Sequence, residues 1–147
     1  GQIGQKVGEI LKAFNCKILY HDIIKHQINW AEKTNIDTLL KESNIISLHS
    51  SGNTTILSKS EFDLIEGSNK LIVNTARGQL IDESSLFRYL DNNPHSAACL
   101  DVFSEEPYNG KLLELKNLIC TPHIGSYAVE SRIKMEELAV LNLLNSL

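Results

Sequence analysis

The sequence predicts an α/β protein: a doubly wound, mostly parallel sheet with helices packed against it. Three observations predict that class. Short apolar runs of strand length recur at residues 17–20, 45–48, 71–74, 97–102 and 118–121. Segments with apolar residues at helical spacing separate most of them, so strand and helix alternate along the chain. Each run carries a polar group at or just past its end (Asp22, His49, Arg77, Asp101, His123), and in a parallel sheet those ends share one edge. A chain of 147 residues, 42% hydrophobic with a formal charge of −4, suits one domain with a sizeable core. It has no basic patch of the kind that binds nucleic acid and no apolar run that spans a bilayer, and a cytoplasmic location is expected. Cys16, Cys99 and Cys120 lie in or beside apolar runs without metal-ligand spacing, which reads as reduced core thiols.

Taken in order, Gly1-Gln2-Ile3-Gly4 leads into Val7, Ile10, Leu11 and Phe14, one face of a helix that stops near Asn15. A strand over 17–20 ends at His21-Asp22. The segment 23–35 is polar and weakly patterned, with Trp30 placed to anchor a short third strand. A short helix over 37–42 precedes a buried strand over 45–48, which ends in His49-Ser50-Ser51-Gly52. Ser58 caps a helix through Ile65, and Glu61, three residues on, completes a capping box. Glu66-Gly67 turns the chain into the strand 71–74, followed by Thr75-Ala76-Arg77-Gly78. Asp82 caps a helix over 83–90 that Asn92-Asn93-Pro94 closes. The strand 97–102 runs into Phe103-Ser104-Glu105-Glu106-Pro107, and a turn over 112–115 leads to the last strand. Pro122 ends that strand, having no N–H to give a ladder, and His123 follows at once. From 127 to 147, apolar residues at Val129, Ile133, Leu138, Leu141 and Leu144 alternate with charges, predicting an amphipathic helix whose stripe faces protein.

The opening carries the second half of a dinucleotide-binding fingerprint: glycines that open a helix, then a strand ending in an acid about twenty residues on. The spacing has a chemical reason. Pyrophosphate rests on the free N–H groups and positive dipole of a helix N-terminus, where side chains would block its approach. Asp22 would accept hydrogen bonds from ribose hydroxyls and repel a 2′-phosphate, favouring NAD over NADP. The same glycines also suit a plain tight turn. The fingerprint's first strand and first glycine are absent from this sequence, so the strands over 17–20 and 45–48 are expected to be separated by a gap or bridged from elsewhere.

Four stretches occur in order across the chain: Gly-Gln-Ile-Gly at 1–4, Asn-Thr-Ala-Arg-Gly at 74–78, Leu-Asp-Val-Phe-Ser-Glu-Glu-Pro at 100–107 and Thr-Pro-His-Ile-Gly-Ser at 121–126. Together they resemble the NAD-binding domain of the D-isomer-specific 2-hydroxyacid dehydrogenases, the family of D-3-phosphoglycerate and D-lactate dehydrogenases. The resemblance implies a Rossmann-type fold and hydride transfer between a nicotinamide and a D-2-hydroxy acid or its 2-oxo acid. It implies Arg77 as the binder of substrate carboxylate and carbonyl, His123 as the acid/base, and Glu106, which directly precedes the proline as Glu105 does not, as the partner of His123. Cofactor contacts are implied at Gly1, Gln2, Ile3, Gly4, Asp22, His49, Ser50, Ser51, Thr54, Thr75, Ala76, Arg77, Asp101, His123 and Gly125, with Asp101 facing the nicotinamide end. The chain departs from the common pattern at Gln2, where arginine is usual, and in the shorter turn after His49.

The implied chemistry is physically consistent. A protonated imidazole can give a proton to the carbonyl oxygen, and a carboxylate partner favours that charged form. Arginine offers a planar fork to a carboxylate, which lysine does not. The nicotinamide carries the hydride while the protein orients it. By this resemblance residues 1–147 are an NAD-binding domain without the family's substrate domain, inactive alone, and the parent protein is a homodimer acting on a small 2-hydroxy or 2-oxo acid. The family also includes corepressors that bind the dinucleotide and recruit partners, so an NAD-sensing module without catalysis is the alternative.

Overall fold

The computed structural model describes residues 1–24 and 26–146; Lys25, in the polar, weakly patterned 23–35 stretch of the sequence, and Leu147, the expected end of the last helix, lie outside the described residues. Strands and helices alternate as α1 (Gln2–Ala13), β1 (Leu19–Tyr20), β2 (Glu32–Lys33), α2 (Ile36–Glu42), β3 (Ile45–Leu48), α3 (Lys59–Leu64), β4 (Leu71–Asn74), α4 (Glu83–Asn92), β5 (Ala97–Leu100), β6 (Leu118–Cys120) and α5 (Val129–Leu144). Short 3-10 turns, Gly78–Leu80 and Lys111–Glu114, follow β4 and precede β6.

Every described strand pair is parallel. β3, β4, β5 and β6 form one sheet in that order, while β1 and β2 form a separate pair. β1 and β3 therefore share no ladder, which is the gap the half-fingerprint predicts. In the larger sheet Ile46, Ile72, Ala98 and Leu118 stand in one row, and Leu48, Asn74, Leu100 and Cys120 in another. Ile46, Leu48, Ile72, Ala98 and Leu100 are buried in one cluster with Leu40 of α2, Phe62 of α3, and Leu86, Tyr89 and Leu90 of α4. These helices thus cover one face. The alternate residues point the other way and include the exposed Ile45 and Ile119.

Local chemistry sets most boundaries. Asn35 accepts the Thr38 amide N–H at 2.8 Å and opens α2. The Glu61 carboxylate accepts from the Ser58 amide at 2.9 Å and its hydroxyl at 2.6 Å, opening α3. Asp82 accepts the Ser85 amide at 2.7 Å and opens α4. The buried Asn93 does more than close α4: its Oδ1 accepts the Gly67 N–H at 2.9 Å and its Nδ2 donates to Glu66 at 3.0 Å. It thereby pins the turn into β4, where Gly67 has a φ of 75°. Buried Lys70 donates to the Lys41 and Ser43 carbonyls, sealing the end of α2, and burial lowers its pKa.

Four expectations are corrected. The short strand expected at Trp30 forms two residues on, as Glu32–Lys33, and the indole itself covers Gly8 of α1, where a Cβ would lie 2.7 Å from the ring. The strands over 17–20 and 97–102 shorten to Leu19–Tyr20 and Ala97–Leu100, with Ile18 accepting from the Glu32 N–H and Asp101 donating to the Asn74 carbonyl just outside them. The thiols are not all core groups, since Cys16 and Cys120 are exposed. Cys16 follows the left-handed Asn15 in the turn beyond α1, and Cys120 ends the edge strand β6. The helix over 127–147 forms as α5, yet its stripe is not buried: Val129, Ile133, Leu138, Leu141 and Leu144 are all exposed, and no described element packs over them. Periodicity marks an apolar face but does not supply the surface that covers it.

At the centre of the covered face, Tyr89 donates its hydroxyl to the Ser68 carbonyl at 2.7 Å and pairs with the Ser96 hydroxyl at 2.8 Å. Tyr89→Phe keeps the packing and removes both bonds, so it should lower the unfolding free energy by about 1 kcal/mol in urea titrations. An unchanged midpoint would show that the hydroxyl contributes nothing.

Candidate functional site

Because β3 to β6 are parallel, the turns after them gather at one sheet edge. Asn74, the buried last residue of β4, organises the first of these turns. Its Oδ1 accepts the Ala76 N–H at 3.0 Å and its Nδ2 donates to the Arg77 carbonyl at 2.9 Å. The turn presents Thr75 and Arg77 to solvent, with Ala76 half-buried. Arg77 donates from Nη1 to the Ala76 carbonyl at 2.6 Å, not to an acid, which leaves its charge available to an incoming carboxylate.

Gly78 follows and is buried. A Cβ there would stand 1.9 Å from the carbonyl carbon of Phe103 and 2.4 Å from the Ser104 nitrogen. The loop after β5 thus lies directly on the Arg77 turn, in a space that no side chain can enter. That loop carries Glu106. Glu106 Oε1 accepts the Phe103 N–H at 3.0 Å, and Oε2 lies 2.8 Å from His123 Nδ1. Its hydrogen bond with His123, and secondly that with the Phe103 amide, hold its carboxyl below the usual range. The ionised acceptor fixes the tautomer in which Nδ1 donates, which directs Nε2 to any further partner.

His123 itself has a φ of 54°, left-handed for a residue with a side chain. Such a conformation costs on the order of 1–3 kcal/mol and persists only where its surroundings impose it. Here they do. Buried Asp101 accepts the Thr121 hydroxyl and the Ile124 N–H (2.9 Å) on Oδ1, and the Gly125 N–H (3.0 Å) on Oδ2. Burial alone would raise the pKa of Asp101, but these donors outweigh it and the net shift is downward. All three contacts go to the His123 loop. Gly125 permits the approach, since a Cβ there would lie 3.2 Å from Asp101 Oδ2.

The expected cofactor side is also contiguous. Gly1 is the N-cap of α1, with no capping side chain and no acid in the first turn, so the amides of Gln2, Ile3 and Gly4 keep free donors. A Cβ at Gly1 would meet open space, whereas one at Gly4 would stand 3.2 Å from His49 Cβ. The start of α1 therefore rests on the turn after β3. Burial lowers the pKa of His49, whose Nε2 is 2.9 Å from Ser47 Oγ. Ser50 Oγ accepts the Gly52 N–H at 3.2 Å, and Ser51 and Thr54 are exposed on the same loop. Asp22 lies 3.7 Å from the Gly1 nitrogen, past the end of β1. Its carboxylate accepts the Ile24 N–H at 2.9 Å and meets His26 Nε2 at 2.7 Å, and the Ile24 amide is the main reason its pKa is low. Free helix amides, open space at the first glycine and an ionised acid beside it fit a dinucleotide.

Sequence reading missed the parts played by Gly78, Thr121 and His26. Gly78 and Thr121 stand inside the quoted Arg-Gly and Thr-Pro-His motifs, so their signal was present as adjacency. His26, four residues beyond Asp22 in an irregular segment, carries no such signal.

Residues 1–125 match the family profile described as "D-isomer specific 2-hydroxyacid dehydrogenase, NAD binding domain". The chain is 38% identical over 152 residues to a glyoxylate reductase of Thermococcus litoralis, covering 98% of this chain and 46% of that protein. It is 38% identical to a hydroxypyruvate reductase of Thermotoga maritima, covering 90% of this chain and 45% of the relative. Among solved structures, D-lactate dehydrogenase with NAD+ from Lactobacillus jensenii superposes with a TM-score of 0.83 at 27% identity, over 95% of this chain and 48% of its own. The chain thus spans about half the length of the relatives it matches.

Two outcomes test this geometry. Gly78→Ala drives a methyl group into the Phe103 backbone and should destabilise the protein by about 1–3 kcal/mol in urea denaturation; an unperturbed variant would show that the two loops are not in contact. Asp101 has a depressed folded-state pKa, so its stabilisation is complete above its ordinary value of about 4 and is lost as pH falls through the lower folded value. Asp101→Asn should be less stable at neutral pH but lose stability less steeply on acidification below about pH 4, measured by urea midpoints across pH.

Proposed function

The chain belongs to the D-isomer specific 2-hydroxyacid dehydrogenase family, and on that premise we propose that its sheet edge is the NAD-dependent half of an active site that reduces a small 2-oxo acid. The observation that carries the proposal is the 2.8 Å contact between His123 Nδ1 and Glu106 Oε2, beside the turn that presents Arg77. In this reading Arg77 grips the substrate carboxylate through its planar fork and polarises the adjacent carbonyl. His123 holds a proton on Nε2 and passes it to the carbonyl oxygen, while Glu106 orients the ring and stabilises its charge. The nicotinamide, when bound, supplies the hydride. The amides of Gln2, Ile3 and Gly4 receive the pyrophosphate, and Asp22 receives the adenosine ribose, favouring NAD. Asp101 acts on the same site by holding the His123 loop, with the turns at His49, Ser50, Ser51, Thr54, Thr75 and Ala76 lining the cleft.

The relatives named glyoxylate reductase and hydroxypyruvate reductase support small 2-oxo acids of that kind, in place of phosphoglycerate or lactate, as first substrates to try. The test uses the full-length protein that carries this chain, with loss of NADH absorbance as the readout and glyoxylate, hydroxypyruvate and pyruvate as substrates. His123→Ala should lower kcat by roughly 10²–10⁴ without weakening NADH binding. Arg77→Lys should act mainly by raising KM. Turnover by the His123→Ala variant at the wild-type rate would overturn the reading.

A further inference from the structure

The side chains of His123 and Glu106 are 53% and 36% exposed, so burial does not lock their contact. It depends on the two backbones that carry them. The His123 loop is held by Asp101. The Glu106 loop has a different anchor, on a helix that carries no part of the pair. Glu83 is the first residue of α4, immediately after the Asp82 cap, and its Oε1 accepts two hydrogen bonds from one residue. The Ser104 N–H donates at 2.8 Å and the Ser104 hydroxyl at 2.7 Å. Ser104 is two residues before Glu106, and its nitrogen is also one of the atoms pressed against Gly78.

Among the described residues, Glu83 is the one side chain, apart from His123, that hydrogen-bonds residues 102–107 of this loop from another element. The helix behind it is rigidly seated through buried Ser85, Leu86, Tyr89 and Leu90. Phe103, next to Ser104, is buried and stacked on Tyr108 with ring centroids 4.2 Å apart. The loop is therefore fixed from below by Gly78, at one end by the aromatic stack, within itself by Glu106 Oε1 on the Phe103 N–H, and to the rest of the fold at Ser104 by Glu83. Without that carboxylate, Ser104 loses both partners and the peptide leading to Glu106 gains freedom.

We propose that Glu83 is a positioning residue for the His123–Glu106 pair, acting through Ser104; the proposal rests on the dehydrogenase reading above. Glu83 contacts neither member of the pair, so its effect must pass through the placement of Glu106. Small displacements of this kind are enough to matter, since about 1 Å of misplacement can cost up to about 10²-fold in rate.

The test compares Glu83→Ala, Glu83→Gln, Ser104→Ala and Glu106→Gln, alone and combined, in the full-length protein. Glu83→Ala should lower kcat about tenfold, with NADH affinity measured by fluorescence unchanged and the kcat–pH profile moved toward that of Glu106→Gln. Glu83→Gln keeps an acceptor oxygen and should restore kcat, while Ser104→Ala, which keeps the amide bond, should fall between. In the Glu106→Gln background, Glu83→Ala should have no further effect. Wild-type kcat in Glu83→Ala, or an equal loss in both backgrounds, overturns the proposal. If Glu83→Ala does not fold, the Ser104→Ala result decides: wild-type kcat and pH profile there overturn it. An inert Glu106→Gln substitution (no change in kcat) would instead refute the dehydrogenase reading, and with it this one.

Discussion

A buried carboxylate must be either neutralised or fully partnered, and Asp101 shows what the second solution demands of a chain. It sits just past β5, whose last residue Leu100 pairs with Cys120 at the end of β6, and its oxygens take donors from Thr121, Ile124 and Gly125. To bring those donors round one acid, the loop after β6 must fold back on itself. The residue at the apex, His123, is then left-handed whether or not its own side chain gains by it. The unusual backbone of the histidine is thus a consequence of satisfying a neighbour's charge.

Two acids on the same edge consequently have different tasks. Asp101 holds backbone and is hidden; Glu106 touches the ring and is partly open. Both are kept ionised by donated hydrogen bonds, Asp101 against the effect of burial and Glu106 mainly through His123 itself.

What the sequence made legible was mostly local. Strands β3, β4 and β5 and the caps at Ser58 and Asp82 follow from periodicity and from side chains that bond within three residues. Glu106 could be preferred to Glu105 only through the family motif, and the structure places Glu106 on the histidine. Contacts made across the fold left no such trace. Trp30 over Gly8, Asn93 on Gly67 and Glu83 on Ser104 join residues more than twenty positions apart, and each partner looks ordinary in its own segment. The stripe of α5 was legible as a pattern, but its burial was not, because covering it depends on surfaces that pattern alone does not name.

Gly78 has one more implication. With no room for even a methyl group between it and Phe103, the turn that bears the cation and the loop that bears the acid meet without any cushion of side chains. Neither can be lengthened, re-angled or traded for another segment unless its neighbour is remade to match. For anyone redesigning this edge, the pair is a single module, to be transplanted whole or left alone.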